Sequence, residues 1–93
     1  MNHGVEFTRR AERDLRQIAD RAVRRRILAR VSGLAADARP PDAVRLTGYK
    51  DIWRLRVGDW RVCYQVRDHV LLVLIVVVGR RGDVYERLTR RLR

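Results

Sequence analysis

The apolar positions along the chain change period twice, and each change marks a change of backbone. Val5, Glu6 and Phe7 alternate briefly, which predicts a short opening strand. From Thr8 onward the spacing is helical: Ala11, Leu15, Ile18 and Ala22 fall on one stripe, and Val23, Ile27, Val31, Leu34 and Ala38 on another. Thr8 is a fitting N-cap, and a break near Asp20 divides Thr8 to Ala38 into two antiparallel helices. Arg39-Pro40-Pro41 is expected to end the second, because a residue before proline is pushed out of the α region.

The second half switches to a period of two. Ile52 to Val57 and Trp60 to Val66 are separated only by Gly58-Asp59, a two-residue hairpin turn in which Gly58 can supply positive φ. That turn fixes the register: Val57 faces Trp60, Leu55 faces Val62 and Trp53 faces Tyr64, all on one apolar side expected to pack on the helices. Arg54, Arg56, Arg61, Cys63 and Gln65 then point to the other side, an uncovered arginine face. Val70 to Val78 follows the Arg67-Asp68-His69 turn as a third strand, apolar on both faces, so either a central strand or one whose second face is partly covered by the C-terminal segment or another chain. Asp83 and Glu86 have capping-box spacing for a short helix from Val84 toward Leu92. The pattern is thus α+β: an N-terminal strand, two antiparallel helices packed on an antiparallel sheet (a three-stranded meander plus the N-terminal strand), and a short C-terminal helix.

Length and composition narrow this further. Ninety-three residues build one core, so residues 1–93 are read as a single domain. The 22 Lys+Arg against 11 Asp+Glu give a formal charge of +11, and the simplest relief for that self-repulsion is a polyanionic partner. Lys50 is the sole lysine; the rest are arginines, which grip phosphate bidentately and stack on bases. A GC-rich coding sequence would produce the same arginine preference, but not the net charge. The single cysteine, Cys63, forms no disulfide within the chain and fits a reducing compartment. Met1 to Arg10 holds no signal-peptide stretch, and Val70 to Val78 falls short of the ~20 residues a membrane helix needs. A cytoplasmic protein without membrane attachment is expected.

The register carries the chemistry. Arg56 stands directly opposite Arg61, a destabilising pair unless an anion lies between them. His3 and His69 lack a third ligand at metal spacing, so neither a metal nor another cofactor is expected. Cys63 is read as an inert apolar thiol. Arg21, Arg24, Arg25, Arg26 and Arg30 line the second helix, either as a solvated face or as a grip on RNA backbone.

The ordered residues Leu46-x-Gly48, Trp53-Arg54-Leu55-Arg56-x-Gly58-Asp59-Trp60-Arg61-Val62-x-Tyr64 and Val78-Gly79-Arg80-Arg81-x-x-Val84-Tyr85 resemble the RelE-type toxins of bacterial toxin–antitoxin systems over nearly the whole chain. The resemblance implies a metal-independent, ribosome-dependent mRNA endonuclease that acts in the A site. Its partners would be the ribosome, mRNA and a cognate antitoxin, with operator DNA contacted only through the antitoxin complex. It also implies a catalytic set. Arg54 and Arg56 stand where the family has lysines, Arg61 where it holds phosphate, Arg81 near the leaving group, and Tyr85 where a tyrosine orients the base or moves a proton. Arg80, Lys50, Arg24, Arg25 and Arg87 are the accompanying candidates for RNA contact. Arginine is a poor general base, so the implied mechanism is electrostatic, with attack by the RNA's own 2′-oxygen. Trp60 replaces a more usual tyrosine and is read as core packing. ParE-type relatives, which share the scaffold, poison DNA gyrase instead, and a non-catalytic cationic binding module is the third reading.

Overall fold

The computed structural model describes residues 2–92. In chain order it contains β1 (Gly4–Phe7), α1 (Arg9–Arg16), α2 (Arg21–Gly33), β2 (Val44–Arg45), β3 (Ile52–Val57), β4 (Trp60–Arg67), β5 (Leu72–Arg80) and α3 (Val84–Arg91). The strands form one five-stranded sheet in the order β1-β5-β4-β3-β2, antiparallel except where β1 runs parallel to β5.

The helices start where local chemistry starts them. Thr8 accepts from the Ala11 amide at 3.1 Å, and Asp20 accepts from Ala22 and Val23, so the break expected near Asp20 is the N-cap of α2. The second helix ends earlier than the prolines require. It stops at Gly33, and Ala36 and Asp37 turn back onto the Gly33 carbonyl, so Leu34 and Ala38 reach the core from a turn. The capping box expected at α3 does not form. Asp83 has helical backbone angles and makes no side-chain cap, while Glu86 pairs with Arg90 one turn on. A carboxylate whose own residue is already helical is not positioned to accept from the N3 amide.

The hairpin register is the one the two-residue turn dictates: Val57↔Trp60, Leu55↔Val62, Trp53↔Tyr64 and Arg56↔Arg61 are paired, and Gly58 has φ +61°. One face of the sheet packs on α1 and α2 through Leu55, Val62, Tyr64, Val73, Ile75 and Val78 against Ala11, Ile27, Val31 and Leu34. Tyr64 is fully buried there and donates to the Ala38 carbonyl at 2.8 Å.

The opposite face is not open. α3 lies on it, and Val84 and Leu88 pack with Ile52, Cys63, Val76 and Val77 in a second core. A bulge lets β5 serve both: Cys63 pairs with Val77 but Tyr64 with Ile75, so Val76 and Val77 both face α3, and Val78 returns to the helix pair. β5 itself begins at Leu72, because Asp68–Val70 form a 3-10 turn closed by Leu71 in the left-handed region. The arginine face is therefore half arginine and half buried core. Arg61 and Cys63 are buried, and only Arg56 of the expected row is exposed.

One edge of β5 is completed by side chains. β1 ends at Phe7 opposite Ile75, which leaves the β1-side edge of β5 from Val76 to Val78 without a strand neighbour. Asp14 of α1 accepts from the Val78 amide at 3.0 Å, and Arg91 of α3 donates to the Val76 carbonyl at 2.9 Å. Arg91 also holds both Asp14 oxygens, at 2.7 and 3.0 Å. A buried ion pair thus stands in for two rungs of a ladder and locks α1, β5 and α3 together.

Candidate active site

The β3–β4 turn and the β5–α3 turn lie at the same end of the sheet, tied by the Arg81 amide donating to the Asp59 carbonyl at 3.1 Å. Between them sits Arg61. It is 8% exposed, and its Nη1 donates to the carbonyls of Gly58 (2.9 Å) and Trp60 (3.0 Å). Two carbonyls of the tight turn therefore aim one arm of this guanidinium and leave the other nitrogens for a ligand. Its β5 neighbour is Gly79, so no side chain occupies the adjacent register position.

No carboxylate answers this charge. Among the described residues the acidic side chains pair with Arg16, Arg30, Arg39, Arg87, Arg90, Arg91 and His3, and with none of Arg54, Arg56, Arg61 or Arg81. Burial, and then the nearby charges of Arg56, Arg54 and Arg81, pull Arg61 below the usual arginine value, with Tyr85 acting the other way. The five expected catalytic residues are thus one electrostatic cluster around Arg61.

Tyr85 stands in the first turn of α3 and is 41% exposed. Arg54 Nη1 donates to its hydroxyl at 2.7 Å, so that oxygen is an acceptor there and its own proton is directed elsewhere. Arg54 Nε is buried without a partner, an unspent donor in the same arrangement. Behind the helix, Thr89 donates to the Tyr85 carbonyl at 3.0 Å and lies 2.9 Å from the Tyr49 hydroxyl, which steadies the turn that carries Tyr85. Sequence reasoning passed over Tyr49, Thr89 and Asp14. The i, i+4 pair Val84 and Leu88 was the available signal that α3 lies on this face, but nothing local marks its polar anchors.

The remaining arginine candidates do not gather here. Arg80 lies over the Trp60 ring at 4.9 Å, on the side that packs toward α1 and α2, which supports Trp60 as packing. Arg24 turns back to the Ile18 carbonyl, and Arg87 faces Asp14 at 3.5 Å. Arg25 is exposed on α2. Lys50 belongs to the far end of the hairpin, beside a 340 Å³ cavity lined with Asp51, Gln65, Arg67, Asp68 and His69. There Arg39 bridges Asp68 and Asp51 at 2.8 Å each, and His3 meets Asp68 at 2.9 Å. Asp68 is held at about 2, first by the hydrogen bond from Arg39 and then by His3. The cavity lining balances Lys50 and Arg67 against Asp51 and Asp68. Cys63 is inert by burial, which pushes its thiol up to about 12. No helix among the described residues is long and apolar enough to cross a membrane.

Comparison with known proteins gives the chain its family. The family model described as the ParE toxin of the type II toxin–antitoxin system parDE matches residues 5–85. A RelE-like toxin protein of Escherichia coli is 30% identical, with both chains covered in full. Among solved structures, a mutant Escherichia coli RelE in the free state superposes with a TM-score of 0.82 at 22% identity over the whole of both chains. The toxin of an archaeal RelE–RelB complex from Pyrococcus horikoshii gives 0.74 at 26% identity, over 90% of this chain and 100% of that one. The sequence resemblance and the α+β architecture point the same way: the chain belongs to the RelE/ParE superfamily, as a toxin of a type II toxin–antitoxin system.

Proposed function

We propose that this toxin is a ribosome-dependent mRNA endoribonuclease acting in the cytoplasm on the codon in the A site. The observation that carries the reading is Arg61, a buried guanidinium aimed by turn carbonyls, ringed by unpaired arginines and facing the Arg54–Tyr85 pair. Such a cluster stores repulsion that a phosphodiester relieves, and relieves further when the phosphorane of the transition state gains charge.

In the reaction the 2′-oxygen of the nucleotide 5′ to the cut attacks phosphorus in line, and the bond from phosphorus to the 5′-oxygen breaks. The 2′-hydroxyl gives up its proton and the departing 5′-oxygen takes one up, leaving a 2′,3′-cyclic phosphate and a 5′-hydroxyl. Arg61 and Arg56 hold the non-bridging oxygens; Arg81, on the β5–α3 turn beside them, is assigned to the leaving side. Arg54 fixes the Tyr85 oxygen so that the phenol can move a proton or stack on the splayed base. No arginine is assigned the role of base. The ribosome would supply the in-line geometry that the arginine cluster alone does not impose on free RNA.

A cognate antitoxin is the expected inhibitor; several solved relatives are complexes of RelE with RelB. Contacts with operator DNA are assigned to that antitoxin. The match to the ParE model keeps gyrase poisoning as the second reading. Induction in cells followed by mapping of mRNA 5′ ends separates them. In-frame cuts within translated codons, lost in Arg61→Ala and Arg81→Ala, support the nuclease; intact messages with broken DNA support the gyrase reading.

A further inference from the structure

A second basic feature adjoins the first across the hairpin turn. Arg26 and Arg30 of α2 and Arg56, Val57 and Gly58 of the hairpin line a 270 Å³ cavity. Gly58 is its floor. With φ +61° it has no Cβ, and a Cβ built there would lie 3.2 Å from Arg26 Nη2, so the guanidinium rests against bare backbone. The same residue's carbonyl accepts from Arg61 on the site side.

The charge in this cavity is only partly answered. Arg30 pairs with Asp42 and donates to the Arg56 carbonyl at 3.3 Å. Among the described residues Arg26 and the Arg56 side chain have no acidic partner. Arg56 belongs to both features: it lines the cavity and its charge bears on Arg61. Arg26 from α2 and Arg56 from β3 therefore line one concavity, and the charge of Arg56 on Arg61 links it to the catalytic cluster.

We infer that Arg26 and Arg56, set on either side of Gly58, form a second phosphodiester-binding seat that holds the next part of the RNA strand leaving the Arg61 site. This rests on the nuclease reading for the direction of the strand. The seat positions RNA; it takes no part in bond making. It implies that strands long enough to span both features gain affinity from Arg26, whereas a dinucleotide held at Arg61 does not.

The test uses the full chain and uncleavable 2′-O-methyl RNA probes, one a dinucleotide and one of roughly 10 nucleotides, with affinity followed against salt. Arg26→Ala is expected to weaken the longer probe several-fold, lower its salt slope by about 0.7, and leave the dinucleotide unchanged. Arg26→Lys restores most of the slope. Arg10→Ala, an equal loss of charge at an exposed position of α1 outside the cavity, keeps the wild-type slope. Equal effects of Arg10→Ala and Arg26→Ala, or weakening of the dinucleotide by Arg26→Ala, overturn the seat. Cleavage of mRNA on ribosomes, measured in parallel, keeps the two claims apart: no cleavage with an Arg26-dependent slope sinks the nuclease alone, and cleavage without that dependence sinks the seat alone.

Discussion

Replacing Asp14 by alanine removes the one carboxylate that completes the β5 edge and anchors α3. The Asp14 side chain is 7% exposed and its partner Arg91 15%, so this is a buried pair in which each charge depends on the other. Alanine leaves the Val78 amide without its acceptor and Arg91 without its counter-ion, and removing one member of such a pair costs about 3–5 kcal/mol. A domain of this length has about 5–14 kcal/mol in all, and each kcal/mol moves the melting temperature by about 4–8 °C. The melting temperature of Asp14→Ala, followed by circular dichroism, should therefore fall by at least about 12 °C. Asp14→Asn keeps an acceptor for Val78 while losing the charge, so it should fall less. A drop below about 5 °C for Asp14→Ala would mean that water replaces the carboxylate at no cost, and the edge-completing role would be wrong.

Other outcomes follow from the same contacts. Tyr85→Phe loses the hydroxyl that Arg54 holds but keeps the ring, so cleavage on ribosomes separates its roles: full rate with Phe and loss with Ala leaves stacking, and loss with both leaves proton transfer. Cys63, buried under α3 with its thiol pushed up to about 12, should resist iodoacetamide at neutral pH in the wild type and react faster in Asp14→Ala, which loosens α3; equal rates would refute that coupling. Asp68 is held at about 2, below the ordinary carboxylate value near ~3.9. Its contribution to stability is therefore full above that value and is lost as pH falls toward about 2. Asp68→Asn should flatten the melting temperature against pH over that window, and a curve parallel to wild type would refute the assignment.

The parts legible in the sequence were those set by short-range rules. A two-residue turn with glycine first leaves one register for Ile52–Val57 against Trp60–Val66, so the Arg56–Arg61 pair could be read before any coordinates. The catalytic candidates came from the resemblance, and the structure brings Arg54, Arg56, Arg61, Arg81 and Tyr85 into one neighbourhood. Features set by distant partners were not legible. β2 is two residues long and has no period to detect. Asp14 reads as an ordinary polar helix position, since its partners lie 64 and 77 residues away. Cover of the second face of β5 by the C-terminal segment was legible, but the bulge at Val76 is silent in a run of valines, and so is the inclusion of Cys63 in the covered part. Arg61 is consequently buried where a solvent-facing arginine was foreseen, and that burial leaves its charge with neither bulk water nor a carboxylate to answer it.

The central claim is that this arginine cluster stabilises attack by the RNA's own 2′-oxygen. It is tested most directly by the ends left on an mRNA cut in programmed ribosomes by the purified toxin. The account expects a 2′,3′-cyclic phosphate on the upstream fragment, a 5′-hydroxyl on the downstream one, and no cut when the nucleotide before the scissile bond carries a single 2′-deoxy substitution. A 5′-phosphate, or cleavage of the deoxy-substituted message, would contradict it.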